Sequence, residues 1–171
     1  MKLSNCIITL CTIASATALP FKRAEKCNNE ILSMLQSCNS DCSVFSSEKC
    51  QNFFSNPFDI DSGCDTLSKE EKNTLYITVK EKQAISSLYC YKDTDGNQCP
   101  FINVLNNKDN LTEEAFMKII TDTCKSENCV NLTVEAISQT LNTAKYIQSA
   151  YQNYLDWYEN GIQYLQTQCI L

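Results

Sequence analysis

The amino-acid sequence predicts an all-α protein: a disulfide-stabilised helical bundle with a long, kinked C-terminal helix. Three observations carry this. The chain of 171 residues holds only three glycines and three prolines, too few for the tight turns of a many-stranded sheet. Apolar residues recur at intervals of three and four along most of its length, which is helical periodicity. Ten of its twelve cysteines lie between Cys27 and Cys169, an even set that reads as a cross-linking framework in an oxidising compartment.

The first segment has the form of a secretory leader. Lys2 supplies a positive start, Ile7 to Ile13 a short apolar stretch, and Ala16-Thr17-Ala18 a small-residue cleavage site, so residues 1–18 are expected to leave as a signal peptide. Cys6 and Cys11 leave with it. The apolar stretch is far shorter than the roughly 20 residues that cross a bilayer, and nothing later is comparably apolar, so no membrane span is expected. Lys22-Arg23 then forms a dibasic pair directly before Ala24. This predicts a short pro-segment, 19–23, and a single cysteine-rich domain over 24–171, within the usual size of one core. Leader, dibasic pair and cysteine-rich body together resemble the small secreted cysteine-rich proteins of fungi. The resemblance is to a class; it implies secretion and carries over no functional residue.

The body begins with Cys27, Ile31, Leu35 and Cys38 at helical spacing, which places both thiols on the core face of one helix. A second helix is expected from Asp41 through Phe54, burying Cys42, Phe45, Cys50, Phe53 and Phe54, and ended by Asn56-Pro57. Residues 55–66 read as a loop tied down by Cys64. Ser68-Lys-Glu-Glu71 is a capping box that opens a helix running to Tyr91, although Leu75 to Val79 also alternates like a strand. Asp93 to Pro100 is turn chemistry between Cys90 and Cys99. A short helix over 101–106 follows Pro100, and Thr112 caps another that carries Phe116, Ile119, Ile120 and Cys124.

Val134, Ile137, Leu141, Ala144, Gln148, Tyr151, Leu155, Tyr158, Ile162, Leu165 and Cys169 form a heptad seam. An unbroken helix from Asn131 to Cys169 would be roughly 58 Å long, against a diameter of roughly 40 Å for a domain of this size. The helix is therefore expected to break, and Asn160-Gly161 is the natural place because glycine costs about 1 kcal/mol in a helix interior. A monomer is expected on that reading. A protruding helix that dimerises through the seam is the alternative.

The ten cysteines Cys27, Cys38, Cys42, Cys50, Cys64, Cys90, Cys99, Cys124, Cys129 and Cys169 allow on the order of a thousand pairings. Local geometry offers Cys27 with Cys50 and Cys90 with Cys99 as candidates. Metal and cofactor sites are not expected. No histidine occurs in the chain, so a zinc site would need thiols alone. The segment Asp93 to Asn97 has its glycine too early for a calcium loop and lacks a closing glutamate.

The absence of histidine removes histidine-assisted nucleophilic catalysis. Carboxylate chemistry stays open, with Asp59, Asp61, Glu70, Glu71, Asp93 and Asp95 as candidates for glycoside hydrolysis. From Ala24 onward eleven lysines face twenty acids, a net charge of −9, which argues against nucleic acid and against anionic membrane surfaces. Asn110 and Asn131 open glycosylation sequons and are expected at the surface, at or near element boundaries. Tyr154, Trp157 and Tyr164 make an aromatic stripe suited to a partly wet interface. The resulting expectation is a secreted, extracellular, non-enzymatic binding protein whose partner is an extracellular protein or polysaccharide. A structural cell-surface or wall protein is the alternative, with a small carboxylate-dependent glycoside hydrolase behind it.

Overall fold

Side-chain oxygens open the helices where the sequence places them. The structure is a computed structural model and describes residues 22–107, 110–146 and 152–169. The expected signal peptide with its cleavage residue Ala18 lies outside the described residues, as do Gln148 and Tyr151 of the seam. Helix α1 covers 22–38. The Asp41 carboxylate accepts from the Ser43 and Val44 amides at 2.8 and 3.0 Å and starts α2, Cys42–Phe45. The Ser47 hydroxyl accepts from the Cys50 amide and starts α3, Glu48–Ser55. One helix was expected over Asp41 to Phe54; two form, because the chain turns at Ser46 and Ser47 recaps it.

A 3-10 turn over Ser62–Thr66 leads to α4, Lys69–Cys90. Ser68 Oγ accepts from the Glu71 amide at 3.2 Å, and the Glu71 carboxylate accepts from the Ser68 amide at 2.8 Å. This capping box commits the strand-like Leu75–Val79 stretch to helix, and the Thr74 and Thr78 hydroxyls donate back to the Glu70 and Thr74 carbonyls within it. The turn after α4 closes by a lone antiparallel bridge between Lys92 and Gln98, with Gly96 at φ 81°. Helices α5, Ile102–Asn106, and α6, Glu113–Thr123, follow, the latter capped by Thr112. Helix α7 spans Glu127–Tyr146 and α8 spans Gln152–Gln168. Among the described residues there are eight α-helices and no strand.

Helix α4 joins two buried clusters. Val79 closes a cluster built by Ile31, Leu35, Phe45, Phe53 and Phe54. One to three turns on, Ala84 and Leu88 enter a second cluster with Phe101, Phe116, Ile120, Ile137, Tyr158 and Leu165. Helix α7 packs along α4, and α6 and α8 pack on one another and on α7. Every described position of the heptad seam is buried or half-buried, but α7 and α8 lie against each other rather than forming one rod.

The expected break at Asn160-Gly161 does not occur; α8 runs through it to Gln168. A Cβ on Gly161 would lie 3.0 Å from Phe116 Cζ and 3.2 Å from Ile120 Cδ1. The glycine is thus where α6 and α8 cross closely, which offsets its low helix propensity.

All ten predicted scaffold cysteines are bridged, as Cys27–Cys64, Cys38–Cys50, Cys42–Cys90, Cys99–Cys129 and Cys124–Cys169. The candidate pairs Cys27–Cys50 and Cys90–Cys99 are both overturned. The sharp corner after α1 brings α3 to its C-terminal end, so Cys50 reaches Cys38, and Cys27, three turns back on the same face, meets the 3-10 turn at Cys64. The Asp93–Asn97 turn is closed by its own hydrogen bonds, leaving Cys90 beside α2 and Cys99 beside the start of α7.

Candidate binding groove

One face of α4 carries Lys69, Lys72, Asn73, Tyr76, Lys80, Gln83 and Ser87, exposed or half-buried, and these side chains line two openings that share Tyr76. The first, of about 630 Å³, is completed by Glu70 and by Phe58 from the loop after α3. The second, of about 390 Å³, is completed by Ala84 and by Glu135 and Gln139 of α7. The two openings meet at Tyr76, the first walled by Phe58 and the second by Glu135 and Gln139 of α7, which packs on α4, and together they are termed the groove.

Tyr76 stands at the junction and is 43% exposed, high for a ring this large. Lys72 Nζ sits 5.9 Å from the Phe58 ring centre and Lys80 Nζ sits 5.5 Å from that of Tyr76, both within cation–π range. Lys80 also donates to the Phe54 carbonyl at 2.7 Å and to Gln83 Oε1 at 3.1 Å. Burial lowers its pKa, opposed by the nearby Glu135 carboxylate. Gln139 Nε2 donates to Glu135 Oε1 at 2.9 Å. A smaller cleft of about 280 Å³ lies apart from the groove, over Met34, Phe53 and Ile60, with Lys49, Asn52, Asn56 and Asp59 around it.

The stripe read from the sequence on the C-terminal segment lies on α8. Tyr154, Trp157 and Tyr164 are each half-buried. Tyr154 and Trp157 meet edge to face at 5.3 Å, and Trp157 lies 6.0 Å from the buried Phe116 ring. Tyr164 packs on the second cluster. Lys22 and Arg23 are exposed at the start of α1. Asn110 is exposed between α5 and α6, and Asn131 is exposed one turn into α7, near its start.

Three of the candidate carboxylates are engaged by their own local partners. Asp61 pairs with Lys26 and accepts from the Gly63 amide, and these hold it below its ordinary value, the Lys26 bond foremost. Glu71 is held down by its capping-box bonds to Ser68. Asp93 is held down mainly by the Asn97 amide, with Asp95 and Gly96 adding to it. Glu70 lies in the groove, Asp59 at the smaller cleft, and Asp95 is exposed on the turn. Among the described residues no three histidine, cysteine, aspartate or glutamate side chains are placed to hold a metal.

The groove was missed in the sequence because Phe58 and Tyr76 belong to different elements. A signal was present: the residues at 69, 72, 73, 76, 80, 83 and 87 share one face once the capping box is taken as decisive over the local alternation. Fold and groove together define a disulfide-cross-linked, all-α protein with two adjoining surface openings lined by aromatic, amide, lysine and glutamate side chains. Its described helices include none long and apolar enough to cross a membrane. Comparisons with protein-family models, curated proteins and solved structures find no match to this chain.

Proposed function

We propose that this is a secreted, extracellular, non-enzymatic binding protein that takes an uncharged polysaccharide chain along the α4 groove. The observation that carries the reading is Tyr76, left 43% exposed where two openings meet. An aromatic body with a polar tip stacks on the apolar face of a sugar ring. Around it, Asn73, Gln83, Gln139 and Ser87 offer the neutral donors and acceptors that hydroxyl groups require. A net charge of −9 from Ala24 onward opposes polyanions and leaves uncharged polymers unaffected. Five bridges support an oxidising compartment.

Three of the candidate carboxylates are committed to local structure: Asp61 to Lys26 and the Gly63 amide, Glu71 to Ser68, and Asp93 to the Asn97 amide, each with its pKa lowered by those bonds.

Sedimentation with insoluble glucan, chitin and mannan, followed by calorimetry with the matching hexasaccharide, tests the reading. Tyr76→Ala is expected to weaken binding at least tenfold with the melting temperature unchanged, since its ring is outside both buried clusters. Undiminished binding by that variant would place the site elsewhere, with the α8 stripe next in order. Saturable binding of an extracellular protein with no affinity for any polysaccharide would replace the polymer with that partner. A protein released from the cell surface only by reductant would favour the structural wall reading.

A further inference from the structure

The two sequons differ in what folding does to them. In an α-helix, residues two apart point to opposite sides. On α7 this sends Asn131 outward and Thr133 inward: Asn131 is exposed, whereas Thr133 is fully buried and its hydroxyl has no hydrogen-bond partner. Two residues before Asn131, Cys129 is buried in its bridge to Cys99, and its amide donates to Ser126 Oγ at 3.3 Å. The start of α7 is therefore pinned covalently and by hydrogen bonding. At the other sequon Asn110 and Thr112 are both exposed, and Thr112 Oγ1 only accepts, from the Ala115 amide at 3.2 Å.

Sequon recognition needs the asparagine amide and the hydroxyl two residues on at the same time. We propose that Asn131 is a glycosylation site open only to the unfolded chain, closed by the coiling of α7 and the Cys99–Cys129 bridge, while Asn110 stays open in the folded protein. The proposal rests on the export reading above, which supplies the compartment. In the transfer, the bond between the sugar's anomeric carbon and its lipid diphosphate carrier breaks, and a carbon–nitrogen bond forms at Asn131 Nδ2. The amide gives up one proton to solvent, and lipid diphosphate departs with the electron pair. No oxidation or reduction occurs. Because the Asn131 side chain faces solvent, a chain already carrying the glycan can still fold. Occupancy at Asn131 then records that modification preceded bridge closure.

The test uses protein made without glycans, in oxidised folded form and in reduced, alkylated form. Each is incubated with microsomal oligosaccharyltransferase and a lipid-linked oligosaccharide, and each asparagine is scored by peptide mass spectrometry. Asn110 is expected to be modified in both forms, and Asn131 at least tenfold more in the reduced form. Thr133→Ser should keep the reduced chain's modification at Asn131 and Thr133→Ala should abolish it. A Cys99→Ser, Cys129→Ser variant should raise occupancy at Asn131 alone. Equal modification of Asn131 in both forms, closure of Asn110 in the folded form, or no modification of reduced Asn131 would each overturn the proposal. Export is read separately, from the N-terminal residue of the chain recovered outside cells, so failure of that reading is distinguishable from failure of this one.

Discussion

Asp41, Asp61, Glu71, Asp93 and Asp122 are each engaged by a nearby amide, hydroxyl or ammonium group, and each has its pKa lowered by that engagement. A carboxylate with a folded-state pKa below its unfolded value contributes stability that is complete above the unfolded value. That stability is lost as pH falls through the folded one. The ordinary values here are 3.8 for the aspartates and 4.5 for Glu71, so the melting temperature is expected to hold between pH 5 and 7 and to drop below about pH 4. A calorimetric series across that range checks it, and a flat profile down to pH 2 would remove these residues from the stability account. Ser68→Ala should cost about 1 kcal/mol by undoing the capping box at α4. Trp157→Ala should cost about 2 kcal/mol, because its ring lies on Phe116 and is half-buried. Chemical denaturation reads both, and a Trp157 variant of unchanged stability would return that ring to the list of binding candidates. The Ser68–Glu71 cap was legible in sequence because it involves four consecutive residues. The cysteine partners were not, since Cys27 and Cys64 meet only after a corner and a loop have formed.

Helix α8 illustrates what periodicity conveys about an element and what it omits. The three-and-four spacing of Leu155, Tyr158, Ile162 and Leu165 predicts the buried face, and these residues are buried or half-buried. It carries no information on where the chain reverses. Gly161 reads as a helix breaker by propensity, yet the void left by its missing side chain is filled by Phe116 and Ile120 of α6. Gly161→Ala follows as a test of which effect wins. Helix propensity alone would favour alanine by about 1 kcal/mol. The added methyl meets a ring already held by Phe101, Tyr158 and Trp157, and overpacking of this kind costs about 1 to 3 kcal/mol. A net loss of stability is expected, seen as a lower melting temperature; a gain would show that the α6–α8 contact has slack. The α4 groove was hidden for a related reason. Its stripe is a property of one helix, but the walls come from Phe58, Glu135 and Gln139, which only packing brings alongside.

Across the whole molecule, the bridges close loops of 12 to 48 residues. In the chain-entropy picture each contributes about 3 to 4 kcal/mol, without adding simply. Full reduction is accordingly expected to abolish the near-UV circular dichroism, and persistence of that signal would mean the helical packing suffices alone. The intact mass of the oxidised protein should be ten hydrogens below that of the reduced one, matching the five bridges. The all-α class and the cross-linked character were legible because both follow from counts and spacing. Which helices neighbour which was not.

Three bridges join cysteines between 27 and 90 and two join cysteines between 99 and 169; none spans the turn at 91–98. Among the described residues the peptide backbone of that turn, with exposed Gly96 at its tip, is thus the sole covalent tie between the two halves. A protease that cuts there would convert the single chain into a two-chain complex, its pieces mated through α4 and α7. Such a nicked molecule should run as one species on a native gel and as two under denaturing, non-reducing conditions.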